Sequence, residues 1–182
     1  MRKITVTTFL SLDGVMENPS WTFPYWNDEI ARFKGEETTV NDVLLLGRVT
    51  YEGFAAAWPQ LTDEASGGRY FNGVRKYVVS NTLEKAEWNN SQILRGDILQ
   101  EITKLKQQEG ENLVVHGSGK LVQWLMQNDL VDCYRLLVYP VVLGQGKRLF
   151  QEGVTATLQL VETRQFTSGV TALIYEPVRK AA

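Results

Sequence analysis

A chain of 182 residues with 43% hydrophobic and 22% charged residues suits one domain with a sizeable core and shows no disordered or collagen-like bias. Nineteen basic against 21 acidic residues leave a formal charge of −2, so nothing pulls the chain toward nucleic acid or an anionic membrane, and any anion site must be local. A single cysteine, Cys133, and a single histidine, His116, exclude internal disulfides, multi-cysteine zinc sites and HExxH sites, so no metal centre is expected.

Met1-Arg2-Lys3-Ile4-Thr5 enters a strand-like pattern directly, without a signal-peptide core, and no window approaches a membrane span. One cytoplasmic domain over residues 1–182 is the expectation. Ile4 to Leu10 is predicted as a strand that stops at the Asp13-Gly14 turn signal. An aromatic loop follows with Trp21, Phe23 and Trp26. Asn27 is a plausible N-cap for a helix whose first turn carries Asp28 and Glu29, with Ile30 and Phe33 on its apolar stripe.

Val43 to Leu46 reads as a short buried parallel strand ending in Gly47. Arg48 to about Ala57 is predicted helical, stopped by Trp58-Pro59 because the residue before proline avoids the α region. Tyr77-Val78-Val79 and Ile93-Leu94 are short strands. Asp97 opens a helix with Ile98, Ile102 and Leu105 on one face and Gly110 as its stop. Leu113-Val114-Val115 is a further buried strand, running into Gly117-Ser118-Gly119 and a helix with Leu121, Val122, Leu125 and Met126. Cys133 to Leu143 is predicted as one long strand interrupted at Pro140. Leu158–Phe166 and Val170–Tyr175 flank Thr167-Ser168-Gly169 as an antiparallel hairpin. The order implies an α/β fold with a mostly parallel sheet and an antiparallel C-terminal part. The late strands carry more apolar surface than one set of helices covers, which points to a homodimer.

Three strand-to-loop junctions carry the chemistry: Gly47-Arg48-Val49-Thr50, Ser80-Asn81-Thr82, and His116-Gly117-Ser118-Gly119-Lys120. All follow short apolar strands, so all can lie on the carboxyl edge of one parallel sheet, where open α/β sheets bind ligands. Helix starts there offer unpaired N–H groups, and glycine lets a pyrophosphate approach the backbone. Arg48 and Lys120 add positive charge; Thr50, Ser80, Asn81 and Ser118 are neutral partners for phosphate oxygens. Each junction alone also reads as an ordinary turn, and neither a complete Rossmann fingerprint nor a Walker motif is present. His116 reads as a strand-end histidine before it reads as a catalyst. The tryptophans suit core or lid packing, or a platform for a flat heterocycle.

At these residues the chain resembles a known family. Leu45 to Glu52 is similar to the MGRxTWE segment of dihydrofolate reductases, and His116-Gly117-Ser118-Gly119 to their later glycine-rich turn. Ser11 to Gly14, Tyr139 to Phe150 and Phe166 to Val170 more closely resemble the reductase half of the bifunctional riboflavin-pathway deaminase-reductase and its stand-alone relatives. The resemblance implies a dihydrofolate-reductase-like sheet of eight strands with four helices, NADPH across the sheet edge, and often a homodimer. It further implies cofactor phosphates at Gly47, Arg48 and Thr50, the adenosine 2′-phosphate near Ser80 and Asn81, and pyrophosphate at Gly117, Ser118, Gly119 and Lys120. Glu29, four residues before Phe33-Lys34, falls at the place of the catalytic carboxylate, with Asp28 beside it; both also read as plain dipole complements. Asp13, Trp21 and Trp26 are the candidates for the substrate side. The deaminase signature is absent, which excludes zinc-dependent deamination, and the Leu-Pro-Trp segment of dihydrofolate reductases is not found. An NADPH-dependent reductase, similar to 5-amino-6-(5-phosphoribosylamino)uracil reductase and dihydrofolate reductase and acting on a small heterocyclic or ribosyl substrate, is therefore expected. The alternatives are a non-catalytic nucleotide-binding homodimer and an interaction module.

Overall fold

Short apolar runs covered on both sides make the middle of the sheet. In the computed structural model, which describes residues 1–63 and 67–179, the strands are β1 (Ile4–Leu10), β2 (Asn41–Gly47), β3 (Arg75–Val79), β4 (Ser91–Leu94), β5 (Asn112–His116), β6 (Cys133–Val138), β7 (Leu158–Gln165) and β8 (Thr171–Pro177). They form one sheet in the order β4-β3-β2-β5-β1-β6-β8-β7. The first six positions in that order pair in parallel, and β8 and β7 close the far edge antiparallel.

The helices are α1 (Asp28–Val40), α2 (Arg48–Ala57), the short α3 (Gly68–Gly73), α4 (Ile98–Gln107) and α5 (Gly119–Gln127), one more among the described residues than the resemblance implies. Strand parity sorts them into two layers. Val43 and Leu45 of β2 face Ile102 and Leu105 of α4 and Leu121, Val122 and Leu125 of α5. Leu44 and Leu46 face the other way, toward Tyr51 and Phe54 of α2 and Tyr70 and Phe71 of α3. On that same side Ile30 and Phe33 of α1 cover Leu137, Ala172 and Ile174. Two covered faces explain why Leu44-Leu45-Leu46 is unbroken rather than alternating. Among the described residues no helix is long and apolar enough to cross a membrane.

The expected strand from Cys133 to Leu143 is corrected. β6 ends at Val138, because Pro140 has no N–H to continue the ladder. Residues beyond it fold back over the first turn: Leu12 donates to Val141 O, Met16 to Lys147 O, and Val15 bridges Arg148. The apolar surplus expected of the late strands is mostly covered within the chain, since Tyr134, Leu136, Leu137, Ala172 and Ile174 are all buried. From Cys133 onward the large apolar side chains left exposed among the described residues are Leu160 and Val161 on β7, with Val142, Phe150 and Val178 outside the strands. The helix opened by Asp97 ends at Gln107, three residues before Gly110.

Candidate functional site

Parallel pairing brings the carboxyl ends of β3, β2, β5 and β1 to one edge, and the sequence junctions meet there. The Gly47 amide donates to Ser118 Oγ at 3.0 Å, tying the start of α2 to the start of α5. Gly117 and Ser118 both take left-handed backbone, with φ of 55° and 56°; this turns the chain sharply from β5 into α5. Such a conformation is natural for glycine and uncommon for serine. A Cβ on Gly117 would stand 3.9 Å from Thr50 Oγ1, and one on Gly119 would stand 3.3 Å from Met16 Sδ. Gly47, Thr50, Gly117, Ser118 and Gly119 thus surround one spot, with Met16 beside it.

Capping separates these two helices from α1 and α4, while the short α3 also starts without a side-chain cap. Asn27 caps α1 by accepting from Ile30 N, and Asp97 caps α4 by accepting from Gln100 N. Gly47 and Ser118, at the N-cap positions of α2 and α5, provide no side-chain cap. First-turn amides without a side-chain acceptor form a region of positive potential suited to an anion.

Of the charged candidates, Arg48 is exposed and paired with Glu52 on its own helix at 2.9 and 3.0 Å. Lys120 is exposed with no ion-pair partner among the described residues. Ser80 is buried, and its Oγ accepts from the amides of Thr82 and Leu83, so it shapes its own loop. Asn81 is exposed. Sequence reasoning missed Arg95, which follows β4 and donates to Leu83 O, putting a guanidinium against the Ser80 loop. The positive residue just after a short strand next to β3 was the available signal.

The catalytic candidates Asp28 and Glu29 and the substrate-side candidates Asp13, Trp21 and Trp26 share no polar contact, although the two tryptophans join one aromatic cluster through Tyr139 and Phe9. Asp28 is exposed at the start of α1. Glu29 accepts from Thr167 Oγ1 at 2.5 Å and Thr167 N at 2.8 Å, so its carboxylate holds the β7–β8 hairpin. Those two Thr167 donors keep its pKa below the usual carboxylate range. Asp13 accepts from the Ser11 hydroxyl and from the amides of Leu143 and Gly144; together they push its pKa down to about 2. Trp21 donates its indole N–H to Glu17 O and stands edge-on to Tyr139, whereas Trp26 is half-exposed and edge-on to Phe9.

The larger omission is a polar seam on the α1/α2 side of the sheet. Register sets Thr7 of β1 level with His116 of β5 and Arg135 of β6. Glu37 of α1 comes down onto them. It accepts from Thr7 Oγ1 at 3.0 Å and Arg135 Nε at 3.1 Å, while Lys34 Nζ lies 2.5 Å from its other oxygen and 2.7 Å from Thr7 Oγ1. Burial opposes the Glu37 charge, but Lys34 and Arg135 outweigh it and its pKa stays below the usual range. Burial pushes the Lys34 pKa down against the pull of Glu37. His116, packed against Phe54 and Phe71, is pushed down to about 3 by burial and then by Lys34, so it is neutral near pH 7.

An eight-stranded, mostly parallel sheet with an antiparallel C-terminal pair and its open carboxyl edge is the dihydrofolate-reductase-like architecture of riboflavin-pathway reductases. The chain belongs to the RibD C-terminal domain family, whose model matches residues 2–172. It is similar to the uncharacterized protein YyaP of Bacillus subtilis (strain 168), 33% identical over 178 residues, covering 96% of this chain and 94% of that one. YwjB of the same organism, also uncharacterized, is 28% identical over 177 residues and is covered to 95% by 93% of this chain. Among solved structures, a protein assigned to riboflavin biosynthesis from Shewanella sp. PV-4 superposes with a TM-score of 0.79 at 20% identity, over 97% of this chain and 99% of its own. The deaminase/5-amino-6-(5-phosphoribosylamino)uracil reductase of Thermotoga maritima gives a TM-score of 0.70 at 13% identity, over 97% of this chain and 57% of that one.

Proposed function

We propose that this protein is an NADPH-dependent reductase acting on a small heterocyclic or ribosyl substrate. The observation that carries the reading is the pair of uncapped helix starts at Gly47 and Ser118, joined by their own hydrogen bond around a glycine-lined spot. A pyrophosphate fits that donor set: backbone amides of α2 and α5, the Thr50 and Ser118 hydroxyls, and the Lys120 ammonium. Gly117 and Gly119 keep the approach free of side chains. Arg48, Arg95, Ser80 and Asn81 lie toward β3 and would hold the adenosine 2′-phosphate, with Arg48 leaving Glu52 to do so. When bound, the dihydronicotinamide supplies hydride to the substrate. The chain's own residues bind, orient and exclude water around it.

The activity of the similar Thermotoga maritima enzyme supports trying 5-amino-6-(5-phosphoribosylamino)uracil first. Purified protein is expected to bind NADPH more tightly than NADH in a fluorescence titration, and to oxidise NADPH only when a heterocyclic acceptor is added. Failure to bind either cofactor would overturn the reading. The rival reading, a nucleotide-binding protein without catalysis, is favoured by one observation: Glu29 is committed to Thr167 and Asp28 is exposed. Tight NADPH binding with no turnover of an aminouracil or a pterin would support it. A cytoplasmic homodimer completes the proposal, with exposed Leu160 and Val161 on edge strand β7 as its apolar surface. Light scattering is expected to give twice the 20.6 kDa chain mass.

A further inference from the structure

A cavity of about 600 Å³ opens at the opposite edge of the sheet from the cofactor junctions, where β6 and β7 begin and β8 ends. The last turn of α5, Met126 and Gln127, forms one wall, and the segment from Gly153 to Leu158 forms another. That volume falls within the range of roughly 300–1,000 Å³ common to small-molecule sites. None of the residues at the Gly47, Ser80 and Gly117 junctions takes part in its lining, so the cavity is separate from the cofactor edge.

The most buried polar group in that lining is Tyr134. The residue is 2% exposed, and its hydroxyl has no hydrogen-bond partner among the described residues. A buried phenol ordinarily finds a partner, and here the room for one is the cavity. Met126, Val131, Val154, Leu158 and Pro177 supply apolar surface around it, and Thr155 and Thr157 add hydroxyls. Burial and the nearby Asp129 charge both push the Tyr134 pKa above its ordinary value, so the phenol stays neutral and the two groups share one neighbourhood.

The charges present set the sign of the ligand. Asp129 is the one charged residue in the lining, and no lysine, arginine or histidine joins it there. Arg179 lies 3.3 Å from one Asp129 oxygen but closer to Asp132, at 2.9 Å, and the other Asp129 oxygen has no partner among the described residues. The end of α5 adds the negative end of its dipole, and the Tyr134 ring adds an electron-rich face. Such surroundings favour a cation and disfavour an anion. The geometry points to a second ligand site, for a small organic ammonium ion whose N–H groups donate to the Tyr134 hydroxyl and the Asp129 carboxylate while its apolar body packs against Met126, Val131 and Leu158. The site stands independently of the reductase reading.

The test uses benzylammonium as probe, titrated calorimetrically into the full-length protein, with benzyl alcohol and benzoate as its neutral and anionic counterparts. Wild type is expected to bind benzylammonium at least about fivefold more tightly than either. Tyr134→Phe takes away one neutral hydrogen bond and should weaken the probe about threefold. Asp129→Asn should weaken it about fivefold and leave benzyl alcohol unmoved. Asparagine suits the left-handed backbone at this position, where φ is 54°, so the turn after α5 is kept. A structural role alone would shift the melting temperature of both variants and leave probe affinity as it is, and that result overturns the inference. So does a wild type that binds no benzylammonium, or one that takes the alcohol or benzoate as tightly.

Discussion

The two faces of the sheet are made by the same strands yet differ in kind. The α4/α5 face is one continuous apolar cluster, from Val43 and Leu45 through Ile4 and Val6 to Tyr134 and Leu136. The α1/α2/α3 face is two clusters with Glu37, Lys34, Arg135 and His116 between them. The lesson is that one face holds the fold while the other face and the carboxyl edge give up packing for polar groups. If so, substitutions should separate: stability on one side, cofactor binding on the other.

The largest effect is expected at Leu125, fully buried on α5 against the sheet. Leu125→Ala removes packed methyl groups and leaves a cavity, so it should cost about 2–5 kcal/mol of stability. Denaturant unfolding measures this, and NADPH affinity of the folded variant should be unchanged. A variant that loses binding in step with stability would break the comparison.

Gly119→Val should do the reverse. A Cβ there meets only the flexible Met16 thioether, at 3.3 Å, so the fold can give way at modest cost. The branched side chain would stand where a pyrophosphate approaches, and cofactor affinity should fall about a hundredfold, ~2.7 kcal/mol. Equal losses of folding and affinity would mean the turn is only a bend.

Arg48→Ala and Arg95→Ala sharpen the picture at the β3 end of the edge. Each should lower NADPH affinity about tenfold, ~1.4 kcal/mol, and NADH affinity much less. The low end of the range for a charged hydrogen bond is expected for Arg48, because it must first leave Glu52. An unchanged NADPH-to-NADH ratio in both variants would remove them as readers of the 2′-phosphate.

Much of this was legible in the sequence, for local reasons. Asn27 and Asp97 mark their helices by capping, Leu44 to Leu46 marks a doubly covered strand, and Thr167-Ser168-Gly169 marks the hairpin. The end of β6 was not, because an apolar run does not tell a paired strand from one that Pro140 turns away. The seam was legible only in hints. Glu37 falls on the apolar stripe of Ile30 and Phe33, at a spacing where a core residue belongs, and Arg135 sits inside an apolar run. What joins them is long-range: Thr7 meets Glu37 across 30 positions and Glu37 meets Arg135 across 98. No local pattern encodes such a meeting; strand register does.

The smallest expected effect concerns His116 and the acid side of the stability profile. Burial beside Phe54 and Phe71, with Lys34 near and Glu37 pulling the other way, takes its pKa from the ordinary 6.5 down to about 3. As pH falls through 6.5, the unfolded chain takes up a proton on this histidine and the folded chain does not. The unfolded state then binds more protons, so stability that is whole above 6.5 is lost progressively toward 3. The carboxylates held below their ordinary values, among them Asp13 and Glu37, lose their contributions only below 3.8 and 4.5. The interval above 4.5 therefore belongs to the histidine. The slope there cannot exceed about 1.4 kcal/mol per pH unit, and from about pH 6.5 to 5.5 the loss should be about 1 kcal/mol. Urea midpoints at those two values should differ in wild type and coincide in His116→Phe, which keeps a flat ring against Phe54 and Phe71. If the variant shows the same slope as wild type, His116 takes up its proton freely in the folded chain and does not stand neutral between the aromatic rings and the seam.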